Sequence, residues 1–373
     1  MRAVVTLTGE ATDNWYMHFV SPLYAEAELR AHEHRSNHAF AEAAGSAQRA
    51  AEIALSDGDP TSWWNMTFLQ AENLLDAERF EECAILAVGL ISNLDPPPST
   101  HDRARTYILL AKARQGAGLL EEAAESALAA ADLTTGELDV EINIKARQAL
   151  IAALADGGKL SAAWAESKGL AEVISDDVDE QLAGKSYWVI GNVAFLCDRI
   201  QDGLRYHDLA AGTFSPTKNL DVWAKFNKAS AAMRLAANVA DADTLRCIER
   251  AELATDVIGG SSNDYMLLKL NRAHWNFLAG EHLAAIELLE ELCGDDDLLM
   301  PQRLGEAYLL LGRAYAAIGD KVQARECLLK SASHFEVAGA PHRAQQAQDF
   351  LNTELGRDSL WSWLLRVTGF DRS

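Results

Sequence analysis

Apolar residues recur every three to four positions through most of the chain, and the clearest case is Pro301 to Ala338. Two apolar-periodic segments there are broken by Gly319-Asp320, which predicts two helices folded back on each other. Leu311 and Tyr315, four residues apart, share the buried face. Gly312 and Ala324 are small where the two helices press together, and Gly319 takes the left-handed turn. The same signals return along the chain. Turn glycines stand at Gly118, Gly158, Gly280 and Gly319. The small position of the second helix reads Cys83, Ala123, Ala163, Gly203, Ala285 and Ala324. That of the first reads Ala71, Ala111, Gly191, Ala273 and Gly312, with the bulkier Ile151 in the third hairpin. All three series share a period near 40 residues. They predict hairpins at about 64–95, 104–134, 144–175, 184–214, 221–258, 266–294 and 305–337. In the fifth, Ala231 and Thr244 lie within a residue or two of the expected small positions. All eight prolines fall between the periodic segments, as they must if an interior proline costs ~3 kcal/mol of helix.

Outside this array the pattern weakens. Residues 1–21 read as an arm, in which Val4 to Thr8 is either an edge strand or unstructured. Residues 22–57 read as a degenerate, Ala-rich terminal hairpin. Residues 341–369 read as two capping helices, the second beginning behind Asp358 as N-cap. Leu360, Trp361, Trp363, Leu364 and Leu365 make that last helix unusually apolar. It covers the exposed core edge of the last repeat or, alternatively, forms a homodimer or partner contact through Trp361 and Trp363.

Composition narrows the classes. Ala, Leu and Glu dominate, which favours helix throughout. A formal charge of −22 and the lack of any basic run argue against direct nucleic-acid binding. No apolar run approaches the ~18 residues that span a bilayer, and no signal-peptide pattern opens the chain, so a cytoplasmic protein without membrane contact is expected. The five cysteines are an odd number, widely spaced and without CxxC, and read as reduced.

Tyr308, Leu311, Gly312, Tyr315, Gly319, Asp320 and Ala324 stand in the order and spacing of a tetratricopeptide repeat, and SYWVIGNVAFLCDRIQDGLRYHDLAAG at 186–212 is similar. Over 64–337 the chain resembles the tetratricopeptide-repeat superfamily. Its long period is similar to that of bacterial cytosolic regulators, including receptors for signalling peptides. The resemblance implies an all-α fold: a right-handed α-solenoid of helical hairpins with a C-terminal capping helix. Such regulators often carry an N-terminal DNA-binding or effector-binding bundle; too little precedes Pro22 for the former, so a direct transcription-factor role is not expected. In the family, inward-facing positions of the first helices contact ligand. Carried over residue by residue, that register selects Lys112, Lys145, Gln148, Lys185, Trp188, Asn192, His274 and Arg313; Asn271 lies beside His274, and Asn227 or Lys228 joins them from the fifth hairpin. Asn and Gln can bond both groups of a peptide unit, while Lys and Arg can take a carboxylate. The set lacks a clean match to the two-carboxylate clamp of chaperone-binding members. The expected function is a non-enzymatic regulatory adaptor holding a peptide or protein segment; the alternative is a signalling-peptide receptor that controls a partner by conformational change.

Other chemistry is sparse. There is no nucleophile elbow, phosphate-binding glycine loop, zinc-protease motif or dinucleotide fingerprint, and no cofactor is expected. His34 and His38, four apart, could share a helix face with Glu42 one turn on, but a polar surface outweighs a metal site there. Trp63, Trp64, Met66 and Phe68, following Thr61 and Ser62 as capping candidates, read as core. Asp176-Asp177 and Asp295-Asp296-Asp297 read as solvated turns.

Overall fold

A computed structural model describes residues 21–92, 98–134, 140–294 and 300–354. The arm, apart from Ser21, and the Trp361/Trp363 helix lie outside them. The described residues form 17 helices and no strand. First helices are α1 (Pro22–Ser36), α3 (Pro60–Asp76), α5 (Thr100–Gly116), α7 (Val140–Asp156), α9 (Glu180–Leu196), α11 (Leu220–Ala236), α13 (Ser262–Leu278) and α15 (Pro301–Ala317). They alternate with second helices α2 (Phe40–Ser56), α4 (Phe80–Ile91), α6 (Leu120–Leu133), α8 (Leu160–Val173), α10 (Ile200–Thr213), α12 (Ala242–Ile258), α14 (His282–Leu292) and α16 (Lys321–Val337). A final helix, α17, spans Pro341–Glu354. This is an all-α repeat solenoid.

The chain divides into two compact units, Met1–Gly158 and Lys159–Ser373. In the first, each helix from α1 to α7 packs on the next, while first helices α3, α5 and α7 also touch side by side. In the second, the chain of contacts runs from α8 to α17, and first helices α9, α11, α13 and α15 lie side by side. At its end α17 buries Ala344 and Ala347 against Leu309, Ala324, Leu328 and Phe335, so the last hairpin's core is covered.

The first helices of most predicted hairpins start one turn earlier than the apolar pattern suggests. Pro22, Pro60, Pro301 and Pro341 open helices rather than separate them, since the first helical position needs no N–H and wants the φ that proline presets. Caps follow the same logic. Asp59, not Thr61 or Ser62, caps α3 by accepting from both of their backbone N–H groups. Ser99, Asp179 and Asn219 cap α5, α9 and α11, and Ser261 closes a capping box with Asp264 ahead of α13.

The turn inside each pair needs one residue with positive φ. Gly118, Gly158, Gly280 and Gly319 supply it at +70° to +86°, and His38, Glu78, Asp198 and Asn238 supply it at +57° to +59°. The turn series is therefore complete from residue 38 to residue 319, although half of it carries a side chain and was invisible as glycine. The small positions are equally continuous. Ala43, Cys83, Ala123, Ala163, Thr244, Ala285 and Ala324 are fully buried, and Thr244 sits six rather than five residues past its turn because the loop before α12 is longer.

Candidate first-helix binding face

Lys185, Trp188 and Asn192 lie three and four residues apart on α9, so they share one face of that helix. Forty residues on, Lys225 and Lys228 occupy the registers of Lys185 and Trp188 on α11. His274 on α13 and Arg313 on α15 repeat the register of Asn192. Because α9, α11, α13 and α15 are neighbours, these positions fall on one face of the second unit.

The structure uses several of these side chains internally. Trp188 packs edge-on against Phe226 and Phe214, with ring centroids 5.7 Å and 6.4 Å away. Its Nε1 is buried without a partner among the described residues. Asn192 is half-buried and its Oδ1 lies 3.1 Å from His207 Nε2. Asn227 is buried outright and donates to the Trp223 carbonyl at 2.7 Å, one turn back on its own helix. Asn271 donates to the Lys228 carbonyl at 3.3 Å, tying α13 to α11. Lys228 itself pairs with Asp264 and holds that carboxyl below its usual range. Arg313 lies over the Phe277 ring at 4.8 Å. Burial, reinforced by the Arg313 charge, pushes His274 down to about 4, so it is neutral at pH 7. Lys185 remains exposed at the outer edge of this face.

In the first unit, Lys112 on α5 is exposed, Lys145 on α7 is exposed and pairs with Glu141 at 3.6 Å, and Gln148 is half-buried. Arg105, forty residues before Lys145, stacks on Phe68 at 4.4 Å.

Sequence reasoning missed Lys225, His207 and Arg234. Lys225 was readable, since residues 105, 145, 185 and 225 are all basic at the repeat period. It is exposed, and neither it nor Lys185 takes part in an ion pair among the described residues. His207 is wholly buried on α10, and burial plus the Arg234 charge push it down to about 3. Arg234, 3% exposed, donates to Asp208 at 2.7 Å.

The histidine pair near the start falls apart: α1 ends at Ser36, and His38 takes the turn conformation, so His34 and His38 do not share a helix face. No group of three or more His, Cys, Asp or Glu could hold a metal among the described residues. Trp64, Met66 and Phe68 are core. All five cysteines are free thiols, and burial pushes Cys83 up to about 12. No described helix is long and apolar enough to cross a membrane.

Neither a family model nor a curated protein matches the chain. Solved structures do. A chain of the APC/C hetero-tetramer Cut9-Hcn1 superimposes with a TM-score of 0.59 at 12% identity, over 88% of this chain and 55% of that one. This chain thus spans about half the length of that neighbour. Aspartyl phosphate phosphatase F from Bacillus subtilis gives 0.57 at 11% identity, covering 79% and 76% of the two chains. The apo form of RapI gives 0.52 at 11% identity, covering 81% and 86%. At these identities the likeness shows the fold, an all-α repeat solenoid of helical hairpins.

In the usual tetratricopeptide repeat the period is ~34 residues. Here first helices α3, α5, α7, α9, α11, α13 and α15 each hold 17 residues, which accounts for much of the longer period.

Proposed function

We propose that the chain is a non-catalytic, cytoplasmic protein- or peptide-binding repeat protein. It acts as a regulatory adaptor that recognises an extended segment on the first-helix face of its second unit. The observation that carries this reading is the pair Lys185 and Lys225, exposed at matching registers on neighbouring helices and unpaired among the described residues, in a chain of net charge −22. An acidic protein gains from keeping its lysines paired; leaving two of them side by side favours a ligand that brings negative charge. Lys112, Lys145 and Gln148 form the corresponding face of the first unit. The non-catalytic reading is supported by what the polar groups of the second unit's face do: Asn192, Asn227, Asn271 and Lys228 spend bonds on the scaffold. Ser230, which does lie beside a histidine ring at His207, is fully buried with it. Buried free thiols support a reducing compartment.

A peptide array displaying acidic, neutral and basic 15-residue peptides tests this directly. Acidic peptides should be captured, and the double variant Lys185→Ala/Lys225→Ala should lose them while keeping its melting curve. Capture that survives the double variant would remove the assignment.

A second reading, a signalling-peptide receptor, is favoured by one joint. α10 touches α11 only narrowly, the loosest junction between successive helices from α8 to α17. Ligand gripping α9 and α11 together would tighten it and change the pitch of the array. Solution scattering with a captured peptide separates the two: a receptor compacts, whereas an adaptor keeps its dimensions.

A further inference from the structure

The His207 ring joins three helices of the second unit. From α10, its Nε2 lies 3.1 Å from Asn192 Oδ1 on α9, and its Nδ1 lies 2.9 Å from Ser230 Oγ on α11. Which nitrogen carries the proton follows from the serine. Ser167 and Ser186, both buried, give their hydroxyl hydrogens to the carbonyl one turn back at 2.8 Å. Ser230 makes no such bond among the described residues; instead it receives the Cys247 thiol at 3.9 Å. Its hydrogen is therefore available to His207 Nδ1, which leaves the ring's own hydrogen on Nε2, donating to Asn192 Oδ1. The ring has no freedom to turn. Phe195 and Phe226 stand edge-on to it with centroids at 5.0 Å and 5.8 Å, and a Cβ added at Gly191 would strike it. With Asn192 Oδ1 taken, its amino group is the end left over. Asn192 is half-buried on the α9 face, and its amino group has no partner among the described residues.

We propose that the Ser230–His207 pair fixes the Asn192 amide with its amino group outward on the α9–α11 face, so that the bound segment must present an oxygen acceptor to that group, a carboxylate or a backbone carbonyl. This rests on the binding face proposed above. His207 and Ser230 are positioning residues: they touch no ligand and act through Asn192. Burial with no solvent contact and the nearby Arg234 charge keep the imidazole neutral at neutral pH, so the arrangement persists there. An amide held in one orientation pays no rotational cost on binding. It also rejects a donor in the same place, because two N–H groups would face each other.

The tautomer is tested on the full chain by nitrogen-15 NMR of the histidine rings. His207 should show its proton on Nε2; a proton on Nδ1 would overturn the inference. Binding is tested with a hexaglutamate and a hexaglutamine peptide. Hexaglutamate should bind at least about tenfold tighter in either case, because the lysine pair adds to the contact. If the oxygen is a side-chain carboxylate, Asn192→Ala should narrow that preference; if it is a backbone carbonyl, Asn192→Ala should weaken both peptides by the same factor. In both cases the Asn192 side-chain amide signals should shift. Asn192→Asp keeps the acceptor for His207 but removes the outward donor, and should weaken the bound probe by about tenfold or more. Ser230→Ala, which leaves the face untouched, should mix the tautomers and weaken binding several-fold. Probes that respond to Lys185→Ala/Lys225→Ala but not to Asn192→Asp would sink this inference and leave the face standing. If neither probe binds, the face itself is wrong and the inference falls with it.

Discussion

One buried position in each second helix separates the two units. Ala47, Ala87 and Ala127 fill it in the first; in the second, from α10 onward, His207, Ile248, Leu289 and Leu328 do. The facing position on the first helix is Ala31, Ala71, Ala111 and the bulkier Ile151 in the first unit, but Gly191, Ala231, Ala273 and Gly312 in the second. At two of these four pairs, His207–Gly191 and Leu328–Gly312, the first helix gives up its Cβ. An added Cβ at Gly312 would meet Leu328 at 2.8 Å, and one at Gly191 would strike His207. The three complete hairpins of the first unit, α1 to α6, thus pack alanine on alanine, with side chains short. From α10 onward the second packs large on alanine or on glycine, and once, at His207, the large side chain is a polar ring. Buried polar groups do not follow the same division. Both units hold hydroxyls bonded within one helix, Thr67 and Thr106 in the first and Ser167 and Ser186 in the second. Both also cross helices: Arg114–Ser126 and Arg35–Asn73 in the first, His207–Ser230, His207–Asn192 and Arg234–Asp208 in the second, where a single ring takes part in two of the bonds. Bonds that cross helices fix their relative placement; bonds within a helix do not.

The sharpest test removes the ring. His207→Ala should destabilise by about 4 kcal/mol, since it opens a cavity beside Gly191 and strands Ser230 and Asn192. Ala127→Gly at the same position of the first unit should cost only about 1 kcal/mol, the ordinary helix penalty. Urea melts of both variants decide it; similar losses would mean that the two units pack alike.

Coupling comes next. Gly191→Ala should cost about 2 kcal/mol by overpacking against the ring. In a His207→Ala background most of that loss should vanish, a non-additivity on the order of 1–2 kcal/mol read from a double-mutant cycle. Additive losses would separate the two residues that the structure places in contact.

Acid sharpens the contrast further. His207 titrates at about 3 when folded and near 6.5 when unfolded, so the unfolded chain binds the extra proton between those values. Its contribution is therefore fully present above about pH 7 and is lost as pH falls, amounting to about 2 kcal/mol between pH 7 and pH 5. His274, pushed down to about 4, adds to the same trend. Wild type should lose more stability over this interval than His207→Ala does, and equal losses would place the proton elsewhere.

Much of this architecture was legible in the sequence because the first requirement of a hairpin array is small residues at fixed intervals. Ala111, Ala123 and Gly312 announce themselves. Helix starts were read a turn late at Pro60 and Pro301 because proline looks like a spacer until its place at the first helical position is recognised. The face was partly legible. Lys185 and Asn192 were chosen by register, yet Asn227 at a neighbouring register is buried, since a shift of one residue turns a side chain by about 100° around the helix. His207 was missed because it lies on a second helix, away from the register that selects ligand contacts. A signal existed all the same. The hairpin of α9 and α10 carries glycine at both small positions, Gly191 and Gly203, and such a doubly emptied site requires large neighbours, here His207 and Phe195.

The smallest effect belongs to the turns, where the two units are alike and strain should be local. Glu78 sits at φ +59° in the first unit, in the series where Gly118 and Gly158 follow at the same period. A side chain with a Cβ in the left-handed region costs about 1–2 kcal/mol, offset in part by the entropy that glycine adds to the unfolded chain. Glu78→Gly should therefore stabilise by about 0.5–1 kcal/mol, measured as a small upward shift of the urea midpoint with unchanged slope. Asn238→Gly in the second unit should gain less, because asparagine tolerates this conformation through its short polar side chain. If Asn238→Gly gained as much as Glu78→Gly, the gain would come from the turn position rather than from the side chain it relieves. The difference between packing styles would then have no counterpart in the loops that join the helices.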